Sequence, residues 1–199
     1  ATSRQALHQI LKHAVADGRV VDALFSRSFD KLSEDAQDLF LLVAGMNGWL
    51  PEYAVRAVTQ LGEDEYLTAL EGCERLSVLD RDIRDSQAVL SMPTVARSFG
   101  ATILDSWPRR LAVESQMELL AEVWGNDSGV RGDVSRFVRS LLNLIETTSG
   151  DHAHELHQLL LSVARVEPTS YFELARLYRQ EGRSSKDVVD AYNKGLSQV

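Results

Sequence analysis

The chain has 199 residues, a net charge of −8 and a single cysteine, Cys73. Its 44% hydrophobic and 25% charged residues are ordinary for a folded globular protein and exclude wholesale disorder. One cysteine excludes an intrachain disulfide, and the negative charge argues against a generic nucleic-acid binder, which carries a basic face. The longest apolar run, residues 39–46, is too short to span a bilayer, so we expect no membrane partner. The single cysteine fits a reducing setting, and we expect a cytoplasmic protein.

The first predicted elements are helices. Apolar residues at helical spacing predict a helix over residues 5–15, and residues 20–25 form an apolar stretch too short to assign. Ser33 is a favourable N-cap for the next helix, which begins with acidic residues that suit the helix dipole. Glycines and an asparagine within residues 45–48 are expected to end that helix.

Two further helices follow. Pro51 suits the first turn of one of them, because its missing N–H group costs nothing there, and Gly62 is expected to end it. Acidic residues open the other helix, over residues 63–77. Its expected buried positions are apolar residues at helical spacing: Tyr66, Leu67, Leu70, Cys73 and Leu76.

A β-hairpin is predicted after these helices. Val78 and Leu79 begin a short strand, residues 80–86 read as a charged turn, and residues 88–92 form a second strand. Pro93 then starts another helix. Three helices followed by a two-stranded wing is the order of a winged helix-turn-helix, which predicts such a domain over residues 28–105, preceded by an N-terminal helix and linker over residues 1–27.

The remaining segment, residues 106–199, is expected to be helical throughout. Short breaks between its helices favour antiparallel neighbours and hence helical hairpins. The predicted helices cover residues 108–124, 130–147, 152–166, 169–181 and 185–196. The fold class is therefore mainly α, with a winged helix followed by a helical-hairpin segment.

Residues 24–33 and 36–44 resemble the run that opens the winged-helix subdomain of NB-ARC proteins, which are STAND signalling NTPases. A third run, which begins at Met92, resembles the family's "M-H-D-L-V-R-x-F-A" sequence, with Arg97 and Phe99 also matching. In this chain Pro93 replaces the histidine that contacts the bound nucleotide in the family. Thr94 replaces the family's aspartate.

Residues 171–178 and 191–196, with Gly182 between them, are similar to a tetratricopeptide repeat, which this family often carries after the winged helix. The resemblance implies a regulatory, protein-interaction region of a STAND-type ATPase that acts by conformational switching. The chain contains no G-x-x-x-x-G-K-[ST] sequence, so ATP or ADP would belong to the parent protein. Met92, Pro93 and Thr94 are the equivalent of the nucleotide-sensing motif. The absence of an initiator Met before Ala1 suggests a piece of a longer protein.

The helix over residues 63–77 is the one that would read DNA in a winged-helix transcriptional regulator, which is the alternative function. Its polar side is mostly acidic and would oppose the phosphates that a DNA reader must approach. We therefore expect this side to contact a protein partner or an adjacent nucleotide-binding module. The acidic side chains of this expected interaction face are Glu63, Asp64, Glu65, Glu71 and Glu74.

His152, His154 and His157 are the candidate metal ligands, because His154 and His157 lie three residues apart and share a helix face. The alternative for these histidines is an exposed helix start. Cys73 is expected to be a packed core thiol.

The three tryptophans, Trp49, Trp107 and Trp124, are expected to pack between helices. Arg109 and Arg110 are expected to be solvated at a helix start, or to form a small anion site there. No catalytic motif is present, which argues against a free-standing enzyme.

Overall fold

The computed structural model describes residues 19–46, 48–84, 87–124 and 134–198. The helix predicted over residues 5–15 lies outside these ranges. Within them the chain is mainly helical, with ten helices and one small antiparallel sheet of three strands. The helices are α1 (Arg19–Phe29), α2 (Glu34–Gly45), α3 (Glu52–Thr59), α4 (Glu63–Arg75), α5 (Thr94–Leu104), α6 (Arg110–Trp124), α7 (Val134–Thr147), α8 (Asp151–Val166), α9 (Ser170–Gln180) and α10 (Ser185–Gln198). The strands are β1 (Leu50–Pro51), β2 (Asp80–Arg84) and β3 (Gln87–Ser91).

Helix α2 begins and ends as its sequence predicts. Ser33 is the N-cap, and its hydroxyl oxygen accepts a hydrogen bond from the Ala36 N–H at 3.3 Å. Glu34 and Asp35 lie in the first turn, where their charge suits the helix dipole. Nearly every later side chain of α2 is buried, so this helix forms the centre of the core.

Helix α3 ends earlier than predicted, and for a different reason. Gln60, with φ 55°, takes the left-handed conformation that terminates the helix, whereas Gly62 is the N-cap of α4. The Gly62 N–H donates to the Glu65 carboxylate at 2.9 Å, which satisfies one of the free amides at the start of α4. The glycine between the two helices therefore starts the second helix instead of ending the first.

The hairpin is present, but its first strand and its turn lie at other residues than predicted. Residues 80–84 of the predicted charged turn form strand β2, which pairs with β3 from Asp80 opposite Ser91 to Arg84 opposite Gln87, and residues 85 and 86 lie outside the described ranges. The side chains of β2 are almost all exposed, so the strand lacks the alternation of apolar and polar residues that marks a half-buried strand. Val78 and Leu79 are buried just before it.

Strand β1 was not predicted. It is two residues long and pairs with β3, with Leu50 opposite Leu90, which gives the sheet order β1-β3-β2. A two-residue strand has no periodicity, so only the partner strand identifies it.

The helical segment α6–α10 packs against α3 and shares its core. Tyr53 on α3 meets Phe137 on α7 edge to face, with ring centroids 5.7 Å apart. The buried side chains form one continuous cluster from Phe29 in α1 to Leu177 in α9. The five helices predicted for this segment are confirmed to within a few residues at the ends that the structure describes, and residues 130–133 of the second one lie outside the described ranges. In the described ranges no helix has both the length and the apolar character that crossing a membrane requires.

Candidate interaction surface

The acidic face of α4 forms because the helix buries its opposite side. Tyr66, Leu70 and Cys73 are buried at helical spacing, and this turns the remaining positions toward solvent. The five acidic side chains predicted for the face are all exposed: Glu63, Asp64, Glu65, Glu71 and Glu74. One expected core position is wrong, because Leu67 is 36% exposed and lies on the solvent side of the helix.

Little positive charge offsets this face. Glu63 pairs with Arg56 at 3.4 Å, across the α3–α4 junction. No described residue forms an ion pair with Glu71 or Glu74, which lie on the later turns of α4. The exposed side of α4 therefore keeps most of its negative charge and favours a partner surface that carries lysine or arginine.

The two arginines of the hairpin already have partners within the chain. Arg81 binds the Glu52 carboxylate in a bidentate arrangement, with Nε–Oε2 and Nη2–Oε1 distances of 2.6 and 3.2 Å. Arg84 pairs with Asp82 at 3.3 Å, and its guanidinium group lies over the ring of Trp49. The hairpin consequently offers neither arginine as a free cation to an approaching phosphate.

The Glu52–Arg81 pair lies at a cleft of about 200 Å³ between α3, the hairpin and the end of α8. Glu52 is 7% exposed, so its charge depends on this arginine. Arg56 and Glu167 also line the cleft, and burial raises the pKa of Glu167. The cleft is thus lined largely by charged side chains and lies where the hairpin meets the helical segment.

Tyr66 contributes a buried polar group close to this cleft. Its hydroxyl has no hydrogen-bond partner, and Arg56 lies over its ring at 5.7 Å. Burial raises the pKa of the Tyr66 phenol, and the neighbouring charge of Glu52 raises it further. The phenol is therefore neutral at physiological pH.

The segment that the resemblance predicts to be the equivalent of a nucleotide-sensing motif lies at the start of α5. Met92 is buried, whereas Pro93 and Thr94 are exposed. Pro93 precedes the first helical residue, and its carbonyl accepts from the Arg97 N–H at 3.0 Å. The Arg97 side chain extends toward the Gly48 carbonyl, and one of its terminal nitrogens is buried without a partner.

The three histidines on α8 separate instead of converging. His152 bonds to Glu122 on α6 at 3.0 Å and to Glu155 at 3.2 Å. His157 bonds to Glu181 beyond the end of α9, and His154 is exposed. Over the described ranges, no group of three or more histidine, cysteine or acidic residues is arranged to hold a metal ion.

Cys73 and two of the three tryptophans contribute to the packing of the chain, whereas the packing predicted for Trp49 is wrong. Cys73 is fully buried, its thiol donates to the Ala36 carbonyl at 3.4 Å, and burial raises its pKa to about 12. Among the tryptophans, Trp107 and Trp124 are partly buried, whereas Trp49 is 48% exposed.

Sequence reasoning missed a buried network between α2 and the start of α6. Asp38 is 7% exposed and accepts from the Trp107 indole N–H at 2.7 Å. Arg109 completes the network, with a 2.8 Å ion pair to the same carboxylate, and Arg110 pairs with Glu114 at 2.8 Å. The two arginines therefore serve intramolecular pairs. An acidic residue inside the apolar stretch of α2 was the signal that could have indicated this network.

Comparison with known proteins gives no matching family model, no matching curated protein and no matching solved structure.

Proposed function

We propose that this chain is a cytoplasmic regulatory and protein-interaction region of a STAND-type signalling ATPase. Its winged helix and helical-repeat segment would act by conformational change, without catalysis and without a cofactor of their own. ATP or ADP would bind the adjoining nucleotide-binding module. The element order is the single observation that carries the proposal.

That order is α2–β1–α3–α4–β2–β3, with the strands arranged β1-β3-β2. It supports a winged helix because the short strand between the first two helices pairs with the second strand of the wing. The segment that resembles the family's nucleotide-sensing motif follows β3 directly and leads into α5.

The helical segment supports a repeat-like partner surface. Helices α9 and α10 form a hairpin through a tight turn at Gly182, whose φ of 69° suits a residue without a side chain. Gly195 on α10 approaches the Phe172 ring so closely that a Cβ atom there would lie 3.1 Å from it. Close packing of this kind is typical of paired antiparallel helices in repeat proteins.

The charge distribution favours a protein partner over DNA. The helix that would enter the major groove exposes Glu71 and Glu74, and the wing arginines Arg81 and Arg84 are held by carboxylates of the same chain. A DNA reader needs several free lysines and arginines on these two elements to contact phosphates, and Arg75 is the single basic residue of α4. The transcriptional-regulator alternative is therefore disfavoured by the side chains themselves.

Fluorescence anisotropy with a labelled random-sequence duplex separates the two functions. We expect no saturable binding at about 50 mM salt, where electrostatic binding to DNA is strong. Binding that weakens steeply as salt is raised would favour the regulator and contradict the proposal.

Two observations test the family assignment: the sequence of the parent reading frame, and binding between this chain and a separately produced nucleotide-binding module. We expect a P-loop sequence upstream of Ala1 and measurable binding of this chain to that nucleotide-binding module supplied separately. The double variant Glu71→Lys/Glu74→Lys should weaken the complex about tenfold, which is about 1.4 kcal/mol, because it places like charges opposite a basic partner surface. The control, Glu118→Lys/Glu146→Lys, makes the same charge change on α6 and α7 and should leave affinity unchanged. A parent frame without a P-loop would refute the proposal.

A further inference from the structure

A second cleft lies between α7 and α9, away from the acidic face of α4. Its volume is about 380 Å³, which falls within the range of small-molecule sites. Both helices contribute an arginine and a hydroxyl-bearing side chain to its lining. None of the sequence-predicted site residues belongs to it.

Ser170 supplies the observation that points to a ligand. It lines the cleft and is only 3% exposed, yet its hydroxyl has no hydrogen-bond partner. Its backbone N–H is already satisfied by the Glu167 carbonyl at 2.9 Å. A buried hydroxyl without a partner is uncommon in folded proteins and indicates a group that completes it from outside the chain.

The cleft also offers guanidinium groups that have few or no ion-pair partners among the described residues. Arg139 on α7 forms no ion pair with any residue that the structure describes. Arg176 on α9 meets Glu173 at 3.8 Å, which is longer than a hydrogen bond. Two arginines and one glutamate give the cleft a formal charge of +1, so an anionic group is attracted to it.

Ser135 and Thr169 add two more hydroxyl groups to the lining, and its other three residues are apolar. Val134, Val138 and Leu142 lie along the α7 side, and Val134 and Leu142 are only half-buried. Two helices thus present guanidinium and hydroxyl donors beside an apolar wall. Such a combination suits a ligand with an oxyanion at one end and an apolar or aromatic body.

We propose that the cleft between α7 and α9 binds a small phosphate monoester. Arg139 and Arg176 contact the phosphate oxygens, Ser170 donates its hydroxyl to one of them, and the ligand's apolar body lies against Val138 and its neighbours. A phosphate offers three terminal oxygens and carries more charge than a carboxylate, which matches donors that come from two separate helices. This site is independent of the function proposed above.

Isothermal titration of the whole chain with phenyl phosphate, inorganic phosphate and phenol tests the site. We expect phenyl phosphate to bind at one site per chain and at least about fivefold more tightly than inorganic phosphate, because only phenyl phosphate contacts the apolar wall. Phenol should not bind. No binding of phenyl phosphate, or equal affinity for phenol, would overturn the proposal.

Variants then locate the site. Arg139→Gln/Arg176→Gln should weaken phenyl phosphate binding by about tenfold or more, and Ser170→Ala by about threefold to tenfold. Arg179→Gln removes an exposed arginine from the same helix outside the cleft and should change nothing. Circular dichroism confirms that each variant is folded. Unchanged affinity in the double arginine variant would overturn the assignment, and so would a matching loss in the control.

Discussion

Gly100 on α5 has no room for an additional methyl group unless its neighbours move. A Cβ atom built there would lie 2.5 Å from the Ala44 Cβ atom and 3.1 Å from the Phe40 ring, both on α2. Carbon atoms in contact are ordinarily separated by about 3.5–4.0 Å. The change Gly100→Ala therefore requires α5 and α2 to move apart by about 1 Å or more, since neither opposing group can rotate away.

The expected cost follows from two opposing terms. Overpacking a filled core destabilises a protein by about 1–3 kcal/mol. Replacing glycine by alanine within a helix contributes about 1 kcal/mol in the opposite direction. The net expectation is a loss of about 0–2 kcal/mol, with the upper end favoured because Ala44 and Phe40 are both buried and leave no free space beside Gly100.

Gly72→Ala on α4 is the matched control. Its Cβ atom would lie 3.7 Å from the nearest side-chain atom, which belongs to Leu32, so it makes ordinary contact. Only the helix-propensity gain remains, and we expect up to about 1 kcal/mol of added stability. Urea unfolding followed by circular dichroism measures both variants. Equal effects of Gly100→Ala and Gly72→Ala, or a stabilising Gly100→Ala, would refute the close approach of α2 and α5.

Three further measurements address single side chains. Trp107→Phe removes the donor to the buried carboxylate of Asp38, so urea unfolding should show a loss of about 1–3 kcal/mol, and unchanged stability would contradict that bond. A hydrogen bond to Glu155, and a smaller effect of the one to Glu122, raise the pKa of His152 above its ordinary 6.5. The protonated imidazole therefore stabilises the fold below about pH 6.5, and this stabilisation is lost as pH rises through the higher pKa of the folded state. An NMR titration of His152 should show the raised pKa, and the variant Glu155→Gln should lower that pKa. Cys73, with a pKa raised to about 12, should resist a thiol reagent at about pH 8 in the folded protein and react once urea unfolds it.

Helix positions were accessible from sequence because their signals are local. The N-cap at Ser33, the acidic first turn of α4 and the glycine turn at Gly182 each act within a few residues of where they occur. Apolar spacing then identified most buried positions, including Cys73. Leu67 was assigned to the wrong side because it follows Tyr66 directly, and adjacent residues on a helix point in different directions.

Strand β1, the extent of β2 and the buried charges were not accessible, because their causes are distant in sequence or leave no apolar pattern. β1 exists only through its pairing with β3, about forty residues later, and β2 is a strand whose side chains face water. The Asp38–Trp107 hydrogen bond joins residues 69 positions apart, and the Glu52–Arg81 pair joins residues 29 positions apart. Within a window of a few residues, none of these four side chains has a visible partner.

The position of α3 constrains how any conformational change could proceed. On one side this helix carries Glu52, which holds the hairpin through Arg81, and on another it carries Tyr53, which packs on Phe137 of α7. The same eight-residue helix therefore joins the hairpin to the helical segment through both an ion pair and an aromatic contact. Separating the two would expose a buried carboxylate and two rings together, which is costly. A switch of the kind proposed is then expected to move α3, the hairpin and the helical segment as one body relative to a neighbouring module.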